Sequence, residues 1–374
     1  METKKGSLIV VGSGIKSVGH FTLETQAWIR ESDVVVYCVA DPVTEIWIKK
    51  NSKKCEDLYA LYGNEKKRIN TYTEMVERTL FYVRQGLDTC AVYYGHPGVF
   101  VNPSHRAIKI AREEGYSAAM LPGITALDCL YSDLGVDPSK QGSQTFEATD
   151  LLLRQRHINI DCHVILWQVG CVGDLKFNFG GYDARNFHIL VDYLEKYYDP
   201  NHKVTHYQGS QYPVCKPQIE TMPLKDLRNI KPTGISTLYI PPQIEKATDV
   251  EMLYQLGLRK RESETADKNN QPQQLSCERE STPPKAEYMP VPDESELADF
   301  IMEMAQNPAL LSEFNRNPET TINMYASLTP EERRILLSSH PGAIRMTIKK
   351  HKDFPHLDLI YQVHNSQEGA GTTS

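Results

Sequence analysis

Over the first 240 or so residues the chain alternates between two hydrophobic rhythms. Short apolar, mostly β-branched runs fall at 8–11, 34–39, 91–94, 118–121, 163–169, 204–207 and 237–240. Segments of helical period lie between several of them, at 22–30, 74–84, 104–114, 125–134 and 186–197. The period changes from two towards four at most of these junctions, which predicts strands alternating with helices. That alternation implies an α/β fold with mostly parallel sheets flanked by helices.

The rhythm stops near residue 260. Residues 260–290 are rich in Glu, Lys, Asn, Gln, Ser and Pro and poor in large aliphatics. Such a stretch has too little apolar surface to fold alone, and reads as a linker or as a segment that orders against a partner. A helical pattern follows. Pro292-Asp-Glu-Ser-Glu opens a helix carrying Leu297, Phe300, Ile301 and Met304, which ends at Asn307-Pro308. Leu310, Leu311 and Phe314 predict a short helix before Asn317-Pro318, and Thr329-Pro330 is a helix start with Thr as N-cap. A turn at His340-Pro341-Gly342 leads into 343–350. The tail, 351–374, holds one apolar patch at 357–363 and then turns polar.

Composition removes several function classes. The chain has 374 residues, room for two or three domains. Its net charge of -7 leaves no basic footprint for nucleic acid. No apolar run approaches the roughly 20 residues of a membrane helix. The start, Met1-Glu-Thr-Lys-Lys-Gly-Ser-Leu, lacks a secretory layout, so a cytoplasmic protein is expected. None of the eight cysteines forms a Cys-x-x-Cys pair, which argues for reduced thiols and no bound metal.

Candidate chemistry gathers at strand ends. Gly12, Gly14 and Gly19 follow the first strand with a spacing that misses the dinucleotide fingerprint, so a tight turn is the competing reading. Tyr94-Gly-His-Pro-Gly98, Pro122-Gly-Ile-Thr125, Gln168-Val-Gly170 and Gly234-Ile-Ser-Thr237 put turn residues and small polar groups at further strand ends. Ligands of open α/β sheets bind there, and the four turns suggest one crevice. His96 reads either as a base or as a turn hydrogen-bonding group. Between Asp57 and Tyr72, three tyrosines (Tyr59, Tyr62, Tyr72) accompany Arg68. They form either a charged loop lying on the core or a phenol–guanidinium cluster, in which Arg68 would favour phenolate.

Taken jointly, several segments are distinctive: Asp57-Leu-Tyr59, Arg68, Asn70-Thr-Tyr72, the block from Tyr94 through Gly-His-Pro-Gly-Val-Phe-Val-Asn-Pro-Ser-His to Arg106, Gln168-Val-Gly-Cys-Val-Gly173, and Ser236-Thr-Leu-Tyr-Ile-Pro-Pro242. They resemble the class III, tetrapyrrole methylase-like methyltransferases. More narrowly they resemble the fungal borosin precursors, the omphalotin-precursor type of peptide α-N-methyltransferase. The likeness covers about 6–245 and, more loosely, 293–350.

The resemblance implies an S-adenosylmethionine-dependent enzyme that methylates backbone amide nitrogens of its own C-terminal tail and releases S-adenosylhomocysteine. It implies an interlocked homodimer working in trans, and a downstream protease and macrocyclase. Arg68, Tyr72 and Tyr94 would be catalytic. Tyr59 and Tyr62 would bind the peptide. Tyr94, His96, Val99, Thr125, Gln168, Gly209, Ser236 and Thr237 would hold the cofactor. The domains would be 1–248 (methyltransferase), 249–291 (clasp), 292–350 (helical, peptide-positioning) and 351–374 (acceptor). Within the last, Leu357, Leu359, Ile360, Tyr361 and Val363 would be modified. The tail departs from the family's long uncharged runs, since Asp358 and Gln362 interrupt the patch. The alternatives are a same-fold enzyme acting on a separate peptide or small molecule, a dinucleotide-binding protein, and an interaction module using the Tyr/Arg cluster.

Overall fold

The computed structural model describes residues 6–258, 295–339, 343–344 and 347–348. In chain order the strands are β1 (Ser7–Gly12), β2 (Val34–Cys38), β3 (Cys55–Asp57), β4 (Asp88–Tyr93), β5 (Ser117–Met120), β6 (Ser143–Glu147), β7 (His163–Trp167), β8 (Lys203–Gln208), β9 (Gln218–Pro223) and β10 (Thr237–Ile240). The helices are α1 (Leu23–Glu31), α2 (Pro42–Asn51), α3 (Arg68–Arg84), α4 (Asn102–Glu113), α5 (Ala126–Leu134), α6 (Ala148–Leu153), α7 (Phe187–Leu194), α8 (Val250–Gln255), α9 (Glu296–Gln306), α10 (Pro308–Arg316), α11 (Pro318–Asn323) and α12 (Pro330–Ser338). The chain divides between Ala247 and Thr248 into two compact units.

The first unit holds two five-stranded sheets. The first has the order β3-β2-β4-β1-β5, and every pairing is parallel. Its inner strands β2 and β4 are buried on both faces, as parallel strands between helices are. Val34 and Val36 join Leu8, Val10, Met75, Val83 and Ala107 on the side of α3 and α4. Val35 and Tyr37 join Val11, Ile29, Ile48 and Val92 on the other side, where α1 and α2 lie. The two-residue period in a continuous valine run thus feeds both cores.

The second sheet has the order β6-β7-β10-β8-β9. Here the expected parallel arrangement holds only between β6 and β7; β10 runs antiparallel to β7 and β8, and β9 antiparallel to β8. One consequence shapes the site. Because β10 is reversed, its amino end lies beside the carboxyl ends of β7 and β8.

Three strands, β3, β6 and β9, carry no clear apolar pattern and were absent from the expected set. All three are sheet edges, where polar side chains are tolerated and guard against mispairing. The larger correction is α3. The apolar period predicts its start near 74, but the helix begins at Arg68. Arg68 and Tyr72 therefore stand on the first turns of a rigid helix rather than in a loop.

In the second unit, α9 to α12 enclose Leu297, Phe300, Ile322, Leu328 and Leu336. Asn307 and Asn317, expected only to end helices, also start the next ones. Their side chains accept from Leu310 N (3.1 Å) and Thr320 N (3.2 Å), with Pro308 and Pro318 at the first helical positions. Thr329 caps α12 as expected and forms a capping box with Glu332. Of the proposed clasp, 249–258 is described. The rest of it, the turn at 340–342 and the tail with Leu357, Leu359, Ile360, Tyr361 and Val363 lie outside the described residues.

The glycines after β1 are explained by packing. A Cβ on Gly12 would lie 2.2 Å from Gly95 O, and one on Gly14 (φ +67) 2.2 Å from His20 Cβ. Gly12 lets the loop after β1 touch the loop after β4, Gly14 lets its own loop close on His20, and Gly19 has no such contact. Gly12→Ala should cost about 1–3 kcal/mol in urea unfolding. Gly19→Ala, whose Cβ would meet nothing nearer than 3.7 Å, should stay within about 0.5 kcal/mol of the parent. Equal losses for both would contradict this packing.

Candidate active site

The strand-end loops of both sheets meet around one cavity of about 480 Å³, well inside the roughly 300–1,000 Å³ of small-molecule sites. The loops after β1 and β4 are clamped together. Ser13 N donates to Tyr93 O (2.8 Å), Gly14 N to Gly95 O (3.2 Å) and Gly95 N to Gly14 O (3.0 Å). This places Ile15, Tyr94, Gly95 and His96 on one wall. Trp167 and Gln168 after β7, Gly209 after β8, and 234–237 leading into β10 also line the cavity. Thr125, the N-cap of α5, and Val99 complete it. The eight residues expected to hold a cofactor (Tyr94, His96, Val99, Thr125, Gln168, Gly209, Ser236 and Thr237) all line this cavity.

Tyr62 and Tyr72 line it too. Arg68 stands just outside, in an adjoining depression that shares Tyr72, Phe100, Val101 and Gln168 with the cavity. Its guanidinium donates to Asp174 O and lies 5.9 Å from the Tyr182 ring centroid. Its position depends on a short antiparallel pairing of 65–68 with 175–177. Glu65 N donates to Phe177 O (2.9 Å), Phe177 N to Lys66 O (2.9 Å) and Arg68 N to Leu175 O (3.0 Å). The last bond satisfies a helix N–H at a terminus where Lys67 offers no side-chain cap. The same pairing sets Phe177 against Tyr62, stacked at 4.2 Å.

Tyr59 is not in the cavity. It sits on the 3-10 turn 58–61, 40% exposed, and its ring contacts Tyr62, Phe177 and Phe179. Phe177, Phe179 and Tyr182 were missed by sequence reasoning. The only signal in their segment is the alternation Phe177-Asn-Phe179, followed by a Gly pair.

Backbone strain marks the same place. Phe100 (φ 58) and Gln168 (φ 57) are left-handed without being glycine, and both line the cavity. Such residues cost about 1–3 kcal/mol each and cluster at functional sites. Within the His-Pro-Gly turn, His96 Nδ1 accepts from Gly98 N (2.9 Å). That leaves Nε2–H as the ring's donor, so the hydrogen-bonding reading of His96 fits better than the base.

The wall chemistry discriminates between cofactors. No Asp, Glu, Lys or Arg is among the lining residues. A dinucleotide's pyrophosphate would find no basic partner there, and Gly12 and Gly14 are committed to loop packing. S-adenosylmethionine fits. Apolar plates such as Ile15, Val99 and Trp167 suit an adenine ring, and Gln168, Ser236 and Thr237 supply polar groups. The aromatic rings of Tyr62, Tyr72, Tyr94 and Phe100 suit a sulfonium cation without a counter-carboxylate. Gly209 forms part of the cradle: a Cβ there would lie 3.2 Å from Tyr207 Oη and 3.3 Å from Ile15 Cγ2.

Burial governs three phenols around the site. Tyr62 is pushed far up by burial, reinforced by Cys38 and by Tyr72, to which it is hydrogen-bonded. Burial also raises Tyr94 and Tyr182 to about 12, although Arg68 opposes the rise at Tyr182. These phenols therefore hold their protons at neutral pH.

The family description "Tetrapyrrole (Corrin/Porphyrin) Methylases" matches residues 7–205. A methyltransferase/ribosomally synthesized cyclic peptide dendrothelin A precursor of Dendrothele bispora is 41% identical, covering 93% of this chain and 89% of that protein. The corresponding omphalotin A precursor of Omphalotus olearius is 40% identical with the same coverage. Among solved structures, the methyltransferase CobJ matches with a TM-score of 0.47 at 16% identity, covering 65% of this chain and 97% of that one.

The raised phenols fix the sign of an alkaline response. Each stabilises the fold while neutral in both states, below about pH 10. That stability is lost as pH rises from there towards the folded value of about 12. Urea midpoints should hold below about pH 10 and fall above it. Tyr94→Phe should make the fall shallower; an unchanged slope would contradict the burial argument.

Proposed function

This chain belongs to the borosin family of methyltransferase/ribosomally synthesized cyclic-peptide precursors, and we propose that it is an S-adenosylmethionine-dependent α-N-methyltransferase acting on backbone amides of a peptide. The proposed substrate is its own C-terminal tail, presented in trans within an interlocked homodimer. The observation that carries the reading is the shared wall. Tyr72 belongs both to the uncharged aromatic cavity and to the depression that holds Arg68.

The chemical difficulty lies in the acceptor. An amide nitrogen has its lone pair delocalised into the carbonyl, so it becomes nucleophilic only as charge moves to the oxygen and the N–H proton leaves. When bound, S-adenosylmethionine supplies an electrophilic methyl group on sulfur. The protein's part is to hold the amide and take up the charge. Arg68 faces the phenols of Tyr72, Tyr182 and Tyr62, so an amide oxygen seated among them meets a fixed cation and phenolic donors. One such donor is typically worth about 3–4 kcal/mol at a developing oxyanion. The N–H proton passes to Tyr72 acting from its phenolate form, with Arg68 as the balancing cation, so the phenolic donors at the oxygen are Tyr62 and Tyr182. The Tyr59, Tyr62, Phe177 and Phe179 cluster offers an apolar bed for the peptide leading to it. A covalently attached tail raises local substrate concentration, so weak contacts suffice.

Tyr72→Phe and Arg68→Ala should fold and bind S-adenosylhomocysteine, yet lose methyl transfer by about 100-fold or more. Intact-mass spectra of protein expressed in the presence of the donor read this directly, as methylene steps on the parent and none on the variants. Parent-like gains in Tyr72→Phe would remove it from the reaction. Methylation found only on a separate peptide or small molecule would redirect the substrate assignment.

A further inference from the structure

Residues 234–237 line the cavity, and the turn that carries them is held by Ser236, whose N donates to Thr233 O (3.0 Å) and whose hydroxyl gathers several partners. Ser236 Oγ accepts from Thr233 N (2.8 Å) and from Gln208 Nε2 (3.1 Å). Its own hydrogen goes to the nearer remaining partner, His206 Nε2 at 2.7 Å, rather than to Thr233 Oγ1 at 3.4 Å. A ring nitrogen that accepts carries no proton, so the His206 proton sits on Nδ1 and donates to Glu220 Oε2 at 3.0 Å. The three residues lie on neighbouring strands. His206 of β8 faces Glu220 of β9 directly in register, and Ser236 immediately precedes β10. His206 and Ser236 are buried, at 3% and 1% exposure, while the Glu220 side chain is 45% exposed.

We infer that Glu220 and His206 are positioning residues for the cofactor site: they fix the Ser236 hydroxyl and, through it, the turn that carries 234–237. The inference rests on the reading of this cavity as the methyl-donor site. Its physical core is a proton count. If His206 carried its proton on Nε2 instead, three donors would converge on Ser236 Oγ and the serine hydrogen would keep only the long contact to Thr233 Oγ1 (3.4 Å). The turn would then have to loosen. Glu220 prevents this by giving the Nδ1 proton a partner, as a carboxylate fixes the tautomer of a histidine in many sites. Gln218 Nε2 holds the other Glu220 oxygen at 2.7 Å.

The order serine, histidine, carboxylate is that of a hydrolase triad. The hydrogen bonds argue against that chemistry. Two donors already occupy the lone pairs of Ser236 Oγ, so none is free to attack a carbonyl carbon.

The test uses the full-length protein and S-adenosylhomocysteine in a calorimeter. Glu220→Ala, made at an accessible edge-strand position, should weaken binding by about fivefold, the effect of one hydrogen bond. The KM for the donor should rise by a similar factor, while kcat and the thermal midpoint of the ligand-free protein hold. Glu220→Gln, whose amide oxygen still accepts the Nδ1 proton, should bind like the parent. Parent-like binding by Glu220→Ala would overturn the inference while leaving the cofactor assignment intact. A parent that does not bind S-adenosylhomocysteine would overturn both. Labelling of Ser236 by a fluorophosphonate would overturn the positioning role in favour of a nucleophile.

Discussion

A guanidinium at the positive end of a helix, half-buried and without a carboxylate, is an unfavourable arrangement that folding alone would not select. Arg68 opens α3, follows two lysines, and finds no acidic residue in the first turn. Of the nearby lysines, Lys66 pairs with Glu74 and Lys176 with Glu65. Among the described residues, Arg68 makes no such pair. It is held by the Asp174 carbonyl and faces phenols across the depression. The helix dipole and the guanidinium add at one point, beside a cavity whose own walls carry no Asp, Glu, Lys or Arg. That point suits an oxygen that becomes negative during a reaction.

The rest of the first unit reads as the framework for that field. Two sheets bring their strand-end loops to one crevice, and the reversal of β10 delivers Ser236 and Thr237 to the same cavity as Tyr94 and His96. Close approach is achieved by glycines at the loop contacts, and Phe100 and Gln168 carry left-handed backbone where they line the wall. The short pairing of 65–68 with 175–177 ties the first half of the unit to the second. It also stacks Phe177 on Tyr62. A change that loosens this pairing would displace both the cation and the aromatic bed.

Much of this was legible in the sequence, for identifiable reasons. The valine-rich strands announce themselves because they are buried on both faces. The Gly-His-Pro-Gly and Gln-Val-Gly turns announce themselves because only special residues serve at such strand ends. Edge strands β3, β6 and β9 stayed hidden because their half-exposed polar residues carry no apolar period. The early start of α3 stayed hidden because its first turns carry Arg68, Asn70, Thr71 and Tyr72, and their one aliphatic, Ile69, is exposed, which leaves no apolar period to read. Tyr182 and Phe177 were invisible because they reach the site from a loop by long-range pairing, which local pattern does not encode. The direction of the phenol shifts also needed the structure, since the opposing effects of Arg68 and burial depend on how deeply each ring sits.

The central claim is that the uncharged aromatic cavity and the Arg68 depression form one continuous reaction site. A crystal structure of the full chain with S-adenosylhomocysteine tests it most directly. The account predicts the ligand in the cavity, its sulfur on the Tyr72 side, with a passage wide enough for a polypeptide backbone between that sulfur and Arg68. A ligand bound elsewhere, or a sulfur walled off from Tyr72 and Arg68 by protein, would contradict it.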